Sequence, residues 1–266
     1  RLTDRLGNIT DGNTICDYDP EEIKRGYSIS AASAPLLWNG AKINILDTPG
    51  FFDFEGEARQ CVRAADAAII VVDGKAGIEV GTEIGWKLAT DAGIPKAFFI
   101  NKFDDNDARF AHVLDSLHVT FGKHICPLTI PMVKDGVVTG CIDLIEQNAH
   151  VFDKNGRHSV EIIPEESMEA VEKYRDMLME AVASTNEDLM EKYFGGEEFT
   201  RDEIITGLKA GMKSGDICPV YCGVQQTGDA IPLFAQSIID VFPSAADCID
   251  GKADENAAFI FKTIAD

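Results

Sequence analysis

The sequence predicts an α/β fold, a doubly wound and mostly parallel sheet carrying an α+β insertion, and three observations support it. Short apolar runs at 43–46, 67–72 and 96–100 alternate with stretches of helical spacing at 53–65 and 82–92. Strand, helix, strand, helix, strand in that order closes into a parallel sheet through right-handed crossovers. Ala67-Ala68-Ile69-Ile70-Val71-Val72 is almost unbroken in apolar character, as a strand buried on both faces requires. From about residue 124 the rhythm changes to short strands separated by turn residues and then to three helices, which is not the pattern of a βαβ array.

Taken in order, residues 7–30 are rich in Asp, Glu and Gly. Such a segment packs little of itself and is expected to be mobile unless a ligand holds it. Runs at 35–38 and 41–46 flank Asn39-Gly40, the strongest short hairpin signal in the chain. A helix over 53–65 follows, then the buried strand at 67–72, then a helix over 82–92 closed by Gly93 and Pro95. In the second block, strands over 125–132 and 137–144 flank Lys134-Asp135-Gly136, and 149–153 turns at Asn155-Gly156 toward 160–163. Helices over 165–184, 186–193 and 201–212 come next, the first of them acidic and read as solvated. A buried strand over 218–223 and a helix over 230–241, ending before Pro243, return to the α/β pattern. The organisation expected is a domain made of 1–123 and 213–250, an inserted α+β subdomain at 124–212, and the start of a following β domain at 251–266, where 257–264 reads as a strand beginning.

Composition excludes several classes. A net charge of −21 argues against independent binding to a nucleic-acid backbone. No apolar run approaches the ~20 residues of a membrane span, and no basic-then-apolar leader opens the chain, so no membrane partner is expected. Seven scattered cysteines make a disulfide framework a poor reading and a cytoplasmic location the default. Cys218 and Cys222 lack a second Cys or His pair at zinc spacing and read as structural thiols. The five histidines show no metal or triad context and read as core or surface residues.

Two motifs carry chemistry. The strand at 43–46 runs into Asp47-Thr48-Pro49-Gly50. An aspartate at a strand's carboxyl end can hold Mg²⁺, and a glycine lets a backbone N–H approach a phosphate closely. Asp-x-x-Gly alone is also ordinary turn chemistry. The strand at 96–100 runs into Asn101-Lys102-Phe103-Asp104. There Asp104 can accept from the ring N1–H and exocyclic amine of guanine, Asn101 can reach its N7/O6 edge, and the Lys102 stem can cover the base face. Ser28 can supply a hydroxyl to Mg²⁺ or can simply enter a strand.

With Arg25-Gly26-Tyr27-Ser28, Asp47-Thr48-Pro49-Gly50 and Asn101-Lys102-Phe103-Asp104 in this order, the chain resembles the G domain of translational GTPases. The large insertion before Cys222-Gly223 makes the elongation factor G family the nearest match. The resemblance implies a P-loop GTPase-type fold and a GTP-driven cytoplasmic factor that meets the ribosome at its stalk and GTPase centre, with GTP or GDP and Mg²⁺ as cofactors. It also implies that the phosphate loop, of which the sequence holds no Gly-x-x-x-x-Gly-Lys-Ser/Thr copy, lies before Arg1. By position, Ser28 and Asp47 would hold Mg²⁺, Asp47 and Gly50 would serve the γ-phosphate, and Asn101, Lys102 and Asp104 would read guanine. Gly223, Val224 and Gln225 stand where the family has Gly-Ser-Ala closing over the base. Phe51 replaces the histidine that in this family orients the attacking water. A benzyl ring cannot make that hydrogen bond, so slow hydrolysis is expected unless Phe51 packs against Phe52 and Phe54 while another group orients the water. Alternatives within the class are a ribosomal-protection protein and a release-factor GTPase; outside it, a non-hydrolysing GTP-binding regulator.

Overall fold

A computed structural model describes residues 7–103, 105, 107–134, 137–152, 158–224, 228, 230–248 and 259–263. Asp104 and Gln225 lie outside the described residues, as do the turns predicted at 135–136 and 155–156 and most of 251–266.

The chain opens with a single 3-10 turn at Ile9–Asp11 and the short helix α1 (Pro20–Arg25), then the hairpin β1 (Ala32–Trp38) and β2 (Ala41–Asp47). Asn39 and Gly40 sit at φ 41° and 82°, the left-handed pair that a two-residue hairpin turn needs. A 3-10 turn at Phe52–Phe54 leads into α2 (Glu55–Val62), followed by β3 (Ala68–Asp73), α3 (Val80–Asp91), β4 (Lys96–Asn101), α4 (Phe110–Phe121) and β5 (Ile125–Pro127). The antiparallel block is β6 (Thr129–Lys134), β7 (Val137–Asp143), β8 (Asn148–Phe152) and β9 (His158–Glu161). Helices α5 (Met168–Ala183), α6 (Glu187–Phe194) and α7 (Arg201–Ser214) precede β10 (Cys218–Cys222), α8 (Ile231–Val241) and α9 (Ala245–Cys248).

Among the described residues three sheets result. β3, β4, β10 and β5 form an all-parallel sheet in that order, β6 to β9 form an antiparallel meander, and β1 and β2 pair with each other. The central strands β4 and β10 are buried at every position except Lys96, which is why their sequences are apolar runs without alternation.

Several sequence expectations change in detail. The strand bearing Asp47 was expected in the parallel sheet; among the described residues it pairs with β1. The run at 125–132, read as one strand of the antiparallel block, is divided between two sheets. Ile125 to Pro127 pair in parallel with β10, whereas β6 pairs with β7. Leu128 is the joint, its N–H donating to Val220 O at 2.9 Å and its carbonyl accepting from Leu144 N–H at 3.0 Å. α4 was not anticipated, although Phe110, Val113, Leu114 and Leu117 recur at helical spacing and are all buried. α5 is acidic on one side only; Val171, Tyr174, Leu178 and Val182 are buried on the other, and the helix packs along β5. Residues 259–263 carry no strand assignment.

One continuous hydrophobic cluster joins both large sheets and these helices, from Phe98 and Val220 through Leu128 and Ile142 to Leu178 and Leu208. The antiparallel meander and the parallel sheet thus share a core.

Candidate functional site

Two strand ends carry the candidate residues. At the first, β4 delivers Asn101, only 5% exposed, in register with Asp73 at the end of β3. β10 runs beside β4 with Cys222 opposite Ile100, and the Gly223 N–H donates to Ile100 O at 3.1 Å. This pairing brings Gly223 and the buried Val224 alongside Asn101 and Lys102, which are far away in sequence. Thr129 holds the junction from the other sheet, its Oγ1 accepting the Cys222 N–H at 2.9 Å. Lys102 has φ 64°, an unusual conformation for a residue with a side chain, which persists only where the surroundings enforce it. Its Nζ donates to Asp73 Oδ2 at 2.8 Å.

At the second, Asp47 ends β2 opposite Ala32 and is half-buried. Burial pushes its carboxyl up from the usual range, the Cys16 thiol and the Thr48 N–H hydrogen-bond to it and oppose that shift, and the negative charges of Asp17 and Glu22 add to it. Cys16 in turn is pushed up to about 12, first by burial and then by Asp47. The neighbouring Asp17 accepts from Ser28 Oγ at 2.6 Å and from Thr14 Oγ1 at 3.1 Å. Ser28 and Asp47 are thus each engaged by one of two consecutive residues, Cys16 and Asp17.

Segment 7–30 is better organised than its composition suggests, and the expectation that it packs little of itself is corrected. Asp19 and Glu22 form a capping box on α1. Glu22 is 2% exposed, and its Oε1 accepts the N–H groups of Ile29 and Ser30, each at 2.9 Å. One buried carboxylate therefore fixes the approach to β1, and Ser28 lies outside any strand.

Phe51 packs edge-on against Tyr27, ring centroids 4.6 Å apart at 61°. Tyr27 also nears Phe54, at 6.5 Å. The expected partner Phe52 is largely exposed. Gly50 is exposed, and a Cβ built there would meet nothing within 4 Å, so its backbone faces open room.

The donor set at this end fits Mg²⁺. A carboxylate and a hydroxyl are hard oxygen ligands, and Mg²⁺ commonly takes one or two protein groups with water and phosphate oxygens completing its octahedron. Burial is the main reason Asp47 is pushed up, and the smaller push from its negative neighbours Asp17 and Glu22 would be relieved by a cation. When bound, the ion would neutralise phosphate charge.

The model of the family described as the elongation factor Tu GTP binding domain matches residues 2–244. The chain belongs to this family. It is a translation-factor GTP-binding domain of the GTPase class, and its fold is that of such domains with an antiparallel insertion. Among solved structures it is similar to a protein from Thermus thermophilus at 32% identity and a TM-score of 0.86, over 91% of this chain and 36% of that one. Within this GTP-binding domain, sequence reasoning missed Cys16, Asp17, Asp73 and Lys75, and it quoted Tyr27 in a motif without giving it a role. Asp73 alone carried a signal, an aspartate ending an apolar strand just as Asp47 does.

Proposed function

We propose that this is the GTP-binding domain of a cytoplasmic, ribosome-associated translation factor resembling elongation factor G, binding GTP and GDP with Mg²⁺ and coupling nucleotide state to ribosome engagement. The reading is carried by one observation. Parallel pairing of β4 and β10 sets Asn101 and Lys102 beside Gly223 and Val224 at the carboxyl edge of the sheet, where α/β folds hold nucleotides. Asn101, Lys102 and Asp104 read guanine, with the backbone from Gly223 to Gln225 closing over the base. Ser28 and Asp47 hold Mg²⁺, and Gly50 meets the terminal phosphate. Residues 124–212 act as the inserted subdomain that meets the ribosomal stalk. Phe51, which can neither donate nor accept a hydrogen bond, makes hydrolysis slow.

Equilibrium binding of fluorescent GDP to the intact protein, competed by GTP and ATP, tests the base assignment. GTP should displace the probe and ATP should not, and Asn101→Ala should weaken GDP by about tenfold or more. Equal competition by ATP, or full affinity in Asn101→Ala, would place the base elsewhere.

A further inference from the structure

The end of β3 and the loop after it grip the end of β4 and the segment after it at five points. The Gly74 N–H donates to Asn101 O at 2.9 Å, and the Gly74 carbonyl accepts from the Arg109 N–H at 2.9 Å. A side chain at position 74 is barred, since a Cβ there would stand 2.9 Å from the Asn101 oxygen. Asp73 divides its carboxylate: Oδ1 accepts the N–H groups of Lys75 and Ala76 at 2.8 and 3.0 Å, and Oδ2 accepts Lys102 Nζ at 2.8 Å. Lys75 Nζ then reaches Asp105 Oδ2 at 3.4 Å and Asp107 Oδ2 at 2.8 Å.

These contacts differ in weight. The two Lys75 pairs join side chains that are all substantially exposed, and such pairs contribute little. Asp73 is only 22% exposed, and it receives three donors at once. Lys102 holds its carboxyl down to about 2, helped by the two backbone N–H groups. A lysine side chain more than half exposed spreads over many rotamers unless its end is tied. With the ammonium on Asp73, the aliphatic stem becomes a fixed shelf, and the charge is kept away from the base.

We propose that Asp73 is a positioning residue for base recognition, acting through Lys102, with Lys75 as a weaker brace on Asp105 and Asp107. The inference rests on the reading of Asn101 and Lys102 as base contacts. Asp73 shapes affinity for the purine ring as such; discrimination between bases is left to groups that touch the ring edge.

Asp73→Asn isolates the link. An amide oxygen still accepts the Lys75 and Ala76 N–H groups, while the charged partner of Lys102 is lost. Lys102→Met keeps a stem of similar length without the ammonium. In the intact protein, each should weaken GDP and IDP alike by about fivefold to tenfold, leaving their ratio unchanged, and the double variant should be no weaker than either single one. Hydrogen exchange of amides 102–107 should quicken in Asp73→Asn, with the thermal midpoint near that of the parent. Unchanged affinity in Asp73→Asn would overturn the inference, as would an equal further loss in the Lys102→Met background or a shifted GDP to IDP ratio. Asn101→Ala separates the two levels: if it too leaves GDP binding intact, the base site itself is misplaced, whereas its loss beside an unaffected Asp73→Asn defeats the brace alone.

Discussion

The two strand ends of this domain are built on opposite terms. At the base end, Asn101 closes a strand buried between two neighbours, β10 sets Gly223 beside it, and Asp73 holds Lys102. At the metal end, Asp47 closes a half-exposed strand of a two-stranded hairpin, and both candidate metal ligands already have partners, Cys16 on Asp47 and Asp17 on Ser28. The difference follows from the sheet. A central strand has its edges fixed by two ladders, while a hairpin fixes one edge and leaves its end to local side chains. On the proposed reading the base end is formed in advance, and the metal end has to exchange partners when it loads.

The largest effect expected from breaking this arrangement lies at Phe51. Its ring packs edge-on against Tyr27, and a benzyl group offers no hydrogen bond to the attacking water of the proposed reaction. Phe51→His should raise single-turnover GTP hydrolysis in the presence of excess ribosomes by about 10²-fold or more, the range over which positioned acid–base groups act. Parent protein as fast as a histidine-bearing elongation factor would contradict the slow-hydrolysis reading.

A smaller change is expected where the proposed metal ligands are held. Cys16→Ala removes the thiol from Asp47 and lowers the cost of freeing that carboxylate. The Mg²⁺ concentration giving half-maximal GDP binding should fall by about threefold to tenfold, the equivalent of one ordinary hydrogen bond. A rise would mean that Cys16 supports the metal end instead of competing for it.

How legible these regions were in the sequence tracks the same contrast. Asn39-Gly40 announced its hairpin because few other residues accept two left-handed positions in a row. Apolar runs announced β4 and β10 because a strand covered on both faces needs nothing else; the run at 67–72 suggested the same for β3, but β3 ends the described parallel sheet and leaves Ile69 and Val71 exposed on one face. The run at 125–132 could not reveal its division, since apolar character says that a strand is buried without saying in which sheet. Asn101, Lys102 and Asp47 were legible as strand-end motifs. Cys16 on Asp47 and Asp73 on Lys102 were not, because each depends on a tertiary contact; in the second case the partners are 29 residues apart and meet only through the β3–β4 register. The organisation of 7–30 was hidden for another reason. Its hydrophilic composition concealed Glu22, a single buried carboxylate that collects the backbone donors of the segment.

The smallest expected effect concerns pH at the base end. Asp73 is held down from 3.8 to about 2 by Lys102 and the Lys75 and Ala76 N–H groups. A carboxyl with a depressed folded value stabilises the fold above its unfolded value and loses that contribution as pH falls through the folded one. Chemical denaturation should show the loss between about pH 4 and about pH 2, and Asp73→Asn should flatten that part of the profile. An unaltered slope in the variant would show that another group titrates there.

Hydrogen exchange of the intact protein with and without Mg²⁺ and GDP tests the contrast most directly. The account predicts that backbone amides 97–101 and 220–223 are already strongly protected before nucleotide is added and change little, while amides 14–17, 28–30, 47, 48 and 50 change markedly on loading. Fast exchange at 97–101 and 220–223 in the absence of nucleotide, or an unmoved segment at 14–17 and 28–30, would contradict it.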